Sequence, residues 1–361
     1  MGPTRHLKSW IERSRLVTWE VRHEDPDLLT VTNVWPHEEK PAYGPFVRRT
    51  VDGLEALGVR SDVLFIRGYR GRLAYVQGAL VVTALGLSRR YRLVHAHGGE
   101  TALIARTYTG APVIASYLGS DLLAPNEGSL GRRCQCRVRS AILRRHAALM
   151  TATTTKTVEM EATLTRRART LNRVIPDGID LTRFSPSDRS VARACLGWPD
   201  DVPIALFAGR AESPGKRLWL AREAVELART ELPDLELKVV SSAHPEEMPM
   251  YYSAADCLLH TSASEGSPNV IKEALACNLP IVATPAGDIE RLVAGARPGA
   301  VVEADVQSLA RELVACCREP TRSNGRTVTA GMGMGEAAAA TVALYRWVAE
   351  RGATGQEVYT T

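Results

Sequence analysis

The chain has 361 residues, 45% of them hydrophobic, and its 45 lysines and arginines exceed its 40 aspartates and glutamates for a formal net charge of +5. That length exceeds one typical domain, so two domains with sizeable cores are expected. No apolar run approaches the roughly 20 residues that span a bilayer, and Met1 to Arg15 lacks the apolar core of a signal peptide, so a cytoplasmic protein is expected.

The first predicted strand is Leu28 to Val34, followed by a loop to Pro45 and a helix from Phe46 to Leu57. Gly44 opens that helix, where a glycine lets backbone approach a ligand closely. Leu93 to His97 is a short apolar strand ending in His95-Ala96-His97-Gly98-Gly99, with a helix from about Glu100. Ligands sit at such carboxyl ends of parallel strands, which singles out His97 ahead of His95; a buried core histidine is the plainer alternative. The run Ala111 to Tyr117 is the next strand, and its end carries Gly119 and Asp121.

Arginines then crowd the chain, at Arg132, Arg133, Arg137, Arg139, Arg144 and Arg145 and again at Arg166, Arg167 and Arg169. Residues 1–185 hold 28 basic and 17 acidic side chains, whereas the remainder holds 17 and 23. This basic half is either a solvated surface or a contact for an anionic one, such as a membrane leaflet or a phosphate-bearing acceptor. No nucleic-acid motif or aromatic platform accompanies it, so nucleic acid is not an expected partner.

Asn172 to Pro186 reads as a joint, with a turn at Asp177-Gly178. Beyond it, the apolar runs Ile204 to Ala208, Leu235 to Val240 and Pro280 to Thr284 alternate with helical patterns, which predicts parallel α/β sheets. The first of these ends in Gly209-Arg210, and Lys216 follows a Ser-Pro-Gly turn. Arginine grips phosphate oxygens as a fork and lysine adds a compact charge, so the pair suits a diphosphate; two solvated charges are the alternative.

The densest motif is EGSPNVIKE, from Glu265 to Glu273, placed after an apolar strand Cys257 to His260. Ser267 as N-cap and Pro268 at the first helical position predict a helix to Ala276. The amides of Asn269 and Val270 then lack helical partners and point outward with the positive end of the dipole. Glu265 beside them, and Glu273 further along, suit a polyhydroxylated ligand. Two solvated glutamates on an amphipathic helix are the plainer reading.

Glu265-Gly266-Ser267-Pro268-Asn269-Val270, then Lys-Glu-Ala-Leu-Ala and a strand, resembles the nucleotide-sugar site of the retaining glycosyltransferases of family 4. In such enzymes the paired glutamates have seven residues between them, as Glu265 and Glu273 do. The resemblance runs from about Leu28 to Arg351. It implies an α/β protein of the GT-B fold, two Rossmann-like domains with parallel sheets facing across a cleft. Residues 1–185 would bind the acceptor, 186–335 the nucleotide sugar, and a helix in 336–361 would cross back, anchored by Tyr345 and Trp347. By the same resemblance Glu273 holds the ribose hydroxyls, Glu265 the transferred sugar, Gly209, Arg210 and Lys216 the diphosphate, and Gly44 lies over the donor phosphates. His97 and Asp121 would contact the sugar and acceptor.

The chain departs from many relatives at Gly44-Pro45, which removes an amide, and at Leu118, where they carry a histidine. It also has Arg217 for a usual glycine, Asp177 for a usual asparagine, and Ser241-Ser242 for a glycine-bearing loop. Its Gly-Ser-Asp run and the segment after Val240 look like the teichuronic acid glycosyltransferase subgroup. No cofactor or metal is expected: the donor is a nucleoside diphosphate sugar, and the acceptor is left open between a lipid-linked or otherwise anionic one, with peripheral membrane contact through the basic half, and a soluble metabolite of a natural-product pathway. A sugar-nucleotide epimerase and a catalytically silent sugar-nucleotide binder are the rival readings. The segment Gly331 to Gly335, GMGMG, has no strand before it and reads as a flexible linker.

Overall fold

A computed structural model describes residues 3–41, 43–88, 90–124, 129–241 and 243–353. Ser242, invoked above, lies outside them. The chain divides into two compact units, one of Met1–Ala124, Gln135–Gly178 and Gly335–Thr361, the other of Pro125–Cys134 and Ile179–Met334.

The first unit is built on β1 (Val17–Glu20), β2 (Leu28–Thr32), β3 (Ser61–Ile66), β4 (Leu93–His97), β5 (Val113–Ser116), β6 (Ala152–Thr155) and β7 (Asn172–Val174), in the order β1-β3-β2-β4-β5-β6-β7. All pairs are parallel except β1 with β3. The chain leaves β2 toward β3 on one side and resumes at β4 on the other, so the carboxyl ends of β2 and β4 form a topological switch point. There Thr32 is paired with His97.

The helix Met334–Ala353 belongs to this unit. Its Leu344 and Val348 pack on Ile114, Ala152 and Ile175. Tyr345 Oη lies 2.6 Å from His95 Nδ1, and the Trp347 ring is held between the guanidinium groups of Arg173 (4.8 Å) and Arg351 (4.5 Å). Both aromatic side chains named from the sequence therefore do fasten this helix, one by a hydrogen bond and one by cation–π contacts.

The second unit carries β8 (Ile204–Ala208), β9 (Glu236–Val240), β10 (Cys257–His260), β11 (Ile281–Ala283) and β12 (Gly299–Val301), all parallel in the order β12-β11-β10-β8-β9. Ile204, Leu206 and Leu258 pack on one face, and Ala205, Phe207, Cys257 and Leu259 on the other. Covering both faces is what makes such strands read as unbroken apolar runs. Because β9 and β10 flank β8, the switch point falls at the ends of β8 and β10.

GMGMG is not a free linker. Ile179 donates its amide to Met332 O (3.0 Å), and Met334 donates its amide back to Ile179 O (3.0 Å), pinning the segment as a β-bridge before the last helix begins. The backbone pairing could not be read from glycine content.

A buried cation anchors the start of the second sheet. Arg193 donates to the carbonyls of Pro199, Asp200, Val202 and Ala254 and to Asp256 Oδ2 at 2.7 Å. Asp256 also accepts from Arg189 Nε and from the Ile204 amide, each at 2.7 Å. Removing one partner leaves the other buried and uncompensated, so Asp256→Ala should destabilise the chain by about 3–5 kcal/mol. Urea unfolding checks this; a loss below about 1 kcal/mol would show the cluster to be dispensable.

Candidate active site

At the switch point of the second unit, β8 gives way to Gly209, and Arg210 is exposed with no side-chain hydrogen bond or ion pair among the described residues. The turn Pro214–Lys216 follows, and Arg217 sits at φ +50° in the left-handed region. That conformation explains why a glycine is usual here. Arg217 occupies it because its guanidinium donates to Thr261 O (2.6 Å), Ser262 O (3.0 Å) and Thr284 Oγ1 (2.9 Å). Thr261 Oγ1 in turn donates to Lys216 O at 2.9 Å. The cationic loop is thus tied to the end of β10.

Those ties deliver Lys216 to Glu265, with Nζ 2.5 Å from Oε1. His260 Nε2, at the end of β10, is 3.4 Å from the same oxygen. Burial pushes the Glu265 carboxyl up, but His260 and Lys216 together outweigh it and hold it at about 2. Burial keeps the His260 imidazole below its usual range. Glu265 is therefore a fixed anion.

The loop carrying it is held from behind by Gly287, at φ +57°. A Cβ there would lie 2.1 Å from Gly266 O, so only glycine lets the two backbones approach. Ser267 is not the helix cap. Its hydroxyl donates to the buried carboxylate of Asp288 at 3.0 Å, which also receives Arg291 at 2.6 Å. Pro268, at φ −70° and ψ 119°, takes the cap position, and the helix runs Asn269–Ala276. The prediction shifts by one residue because a tertiary acceptor claimed the serine. The amides of Asn269 and Val270 still have no backbone partner among the described residues, and Asn269 Oδ1 is buried without one. Glu273 is buried on the same helix, where Tyr252 Oη donates to its Oε2 at 3.2 Å.

The second unit thus carries Gly209, Arg210 and Lys216 in the loop after β8, Glu265 and Gly266 in the loop after β10, and Asn269, Val270 and Glu273 on the helix that follows. Sequence reasoning missed His260 and Tyr252. His260 ends a predicted strand, a position that marks it in hindsight; nothing local marks Tyr252.

The first-unit candidates fare differently. Gly44 has φ +76°, and a Cβ there would lie 2.7 Å from the Val34 carbonyl carbon, so chain packing already accounts for this glycine. Asp121 is buried, and its Oδ2 accepts the amides of Gly99 (3.1 Å) and Leu118 (3.0 Å). It joins the loops after β4 and β5. His97 is buried with Nε2 unpartnered among the described residues, and burial, assisted by Lys156, lowers it to about 3, so it is neutral. Its neighbour His95 is committed to Ser116 Oγ (2.7 Å) and Tyr345. Lys156, which sequence reasoning passed over, pairs with Asp177 at 2.7 Å. The usual asparagine is thus replaced by an acid facing a buried cation.

Residues 206–319, which contain all the second-unit candidates, match the family described as Glycosyl transferases group 1. A D-inositol 3-phosphate glycosyltransferase of Catenulispora acidiphila is 28% identical over 331 residues, covering 78% of each chain. Sucrose-phosphate synthase from Thermosynechococcus elongatus superposes with a TM-score of 0.74 at 20% identity, over 90% of this chain and 99% of that one. Anabaena HepE, solved in complex with UDP and glucose, superposes at 0.62 and 18% identity over 91% and 100%.

Residues 206–319 form a group 1 glycosyltransferase domain, and the chain is a glycosyltransferase with the GT-B fold. In this glycosyltransferase the ionised Glu265 has a direct consequence for stability. Its folded pKa of about 2 lies below the ordinary 4.5, so its contribution is complete above pH 4.5 and is lost as pH falls toward 2. Lys216→Met removes one group holding it down, and the acid loss of stability between those values should shrink. Urea midpoints across that range measure this; an identical acid limb would show that Lys216 does not hold the carboxylate.

Proposed function

We propose that this glycosyltransferase moves a sugar, with retention of anomeric configuration, from a nucleoside diphosphate sugar to a phosphate-bearing acceptor. The carrying observation is the constellation at the switch point of the second unit: the Lys216–Glu265 pair, exposed Arg210, two free helix amides and Glu273. Lys216 has three N–H donors and gives one to Glu265, which leaves two for phosphate oxygens. Arg210 adds a planar fork for the same diphosphate. Glu265, always ionised, accepts hydroxyls of the transferred sugar with the amides of Asn269 and Val270 beside it, and Glu273 accepts the ribose hydroxyls. A structural neighbour solved with UDP and glucose supports that class of donor.

In the reaction the acceptor oxygen bonds to the anomeric carbon on the face that the phosphate leaves. The bond from anomeric carbon to phosphate oxygen breaks, and the acceptor proton passes to the departing phosphate. Arg210 and Lys216 stabilise the charge that develops there. The neutral His97 and the amide-bound Asp121 then act by shaping the acceptor side in the first unit. The phosphate-bearing acceptor is supported by the excess of basic side chains in residues 1–185 and by the inositol 3-phosphate in the relatives' name.

Arg210→Ala should lower kcat/KM about 10²–10³-fold, the usual cost of losing one donor to a developing negative charge. Glu273→Ala should act mainly on donor KM. Initial rates with a panel of nucleotide sugars, and the anomeric coupling constant of the product by NMR, check the reading. Wild-type rates in both variants at limiting donor would remove this site. An epimerised donor formed without any acceptor would replace transfer by epimerisation, and donor binding with no transfer to phosphorylated or lipid-linked acceptors would mark a silent binder.

Peripheral membrane contact draws support from the helix Arg72–Leu87. Its exposed Leu73, Val76, Leu80 and Leu87 are spaced by three, four and seven residues, which keeps them on one helix face, and no charged residue follows Arg72 within it. Such an uncharged stripe on a basic unit suits an anionic interface. Co-sedimentation with phosphatidylglycerol vesicles should fall at least fivefold in Leu73→Asp/Leu80→Asp; unchanged sedimentation would discard this helix as the contact.

A further inference from the structure

The first unit carries a second concavity, far in strand direction from His97 and Asp121. It lies at the amino-terminal ends of β2, β4, β5 and β6, where Leu28, Leu93, Pro112 and Thr151 line it, and the helix Met334–Ala353 forms its opposite wall through Val342, Trp347 and Val348. Its volume is about 1370 Å³. Ligand pockets commonly enclose about 300–1,000 Å³, so this is ample for a small molecule.

The chemistry of its lining is divided. The floor, between strand starts and helix, is apolar. The rim carries Arg92, Arg166, Arg167 and Arg346, all exposed, and none makes a side-chain hydrogen bond or ion pair among the described residues. Asp27 also lines the cavity, but its two oxygens are taken by Arg60 at 3.0 and 3.1 Å. A fifth arginine, Arg351, is stacked on the Trp347 ring. Arg92 shares the field of the Asp27 carboxylate with Arg60, so the four like charges outnumber the acid beside them and repel one another, and an anion among them relieves that repulsion. A merely solvated arginine face has no need of an apolar floor of this size beneath it. An apolar ligand alone would have no use for the rim.

We propose that this cavity binds a single-chain amphiphile with a phosphate head. The chain lies on the apolar floor between the sheet and the C-terminal helix, and the phosphate sits among Arg92, Arg166, Arg167 and Arg346. Arginine forks match phosphate oxygens in pairs, which favours this head over a carboxylate of lower charge. The site is independent of the donor constellation, which lies wholly in the second unit.

The test uses the full chain and monomeric dodecyl phosphate, with binding followed by calorimetry. Saturable binding of one molecule per chain is expected. Arg166→Glu/Arg167→Glu should weaken it at least tenfold with the thermal midpoint unchanged, since both side chains are exposed and unpaired. Arg132→Glu/Arg133→Glu, a charge change of equal size on the helix Leu130–His146, should leave it within twofold. Inorganic phosphate and dodecyl maltoside should each bind at least tenfold more weakly, because each satisfies only half of the lining. Equal affinity for inorganic phosphate would reduce the site to a bare anion patch, and equal affinity for the maltoside to an unspecific apolar groove. Binding that survives Arg166→Glu/Arg167→Glu would place the ligand elsewhere. Binding to phosphatidylglycerol vesicles without binding of the monomer would make the arginines part of a membrane surface. Each of these four results overturns the proposal.

Discussion

A buried carboxylate held ionised by two groups from different segments is the constraint around which the second unit is arranged. Glu265 meets Lys216, from the loop after β8, and His260, at the end of β10. Arg217 ties the two together through backbone carbonyls, Thr261 adds a hydroxyl, and Gly287 gives up its side chain so that the Glu265–Gly266 backbone can settle against it. Removing an anion from water is costly unless cations and hydrogen bonds replace the lost solvation. The glycines, the cation and the loop glutamate of this region are the set of conditions that meets that cost.

The parallel sheets explain where this happens. In each unit the chain reverses its direction of travel across the sheet, and the strands flanking the reversal present their carboxyl ends side by side. In the second unit that end gathers free amides, an unpaired arginine and two acids, a mixture suited to a charged polyol. In the first it gathers a neutral His97, a carboxylate already bound by two amides, and a buried Lys156–Asp177 pair. One end is poised for ligand charge. The other is largely satisfied within the protein.

Departures from the family pattern also take on physical meaning. Arg217 stands where a glycine is usual, yet its left-handed backbone and three hydrogen bonds show that the long side chain itself holds the strained turn. Asp177 in place of asparagine is matched by the buried Lys156, so the two residues form a compensated pair. Leu118 offers no polar side chain, but its amide is one of the two that hold Asp121.

Local pattern was enough for much of this protein. Apolar runs bounded by Gly, Pro and Asp located most strands to within two residues, since a strand covered on both faces must be apolar throughout, and EGSPNVIKE and Gly209-Arg210 singled out the loops that follow β10 and β8. These are short-range properties, set by neighbours along the chain. What the sequence could not decide was who pairs with whom. Ser267 went to Asp288 instead of capping its helix, GMGMG became a bridge to Ile179, Lys216 joined Glu265, His260 reached Glu265 from a strand end, and Tyr252 reached Glu273 from a helix with no local mark of function. The rim of unpaired arginines over an apolar floor was equally invisible, because its members come from three separate stretches of chain. Such pairings depend on distance in space and on burial, which raises the strength of every charge and every unmet hydrogen bond, and only the folded chain fixes either.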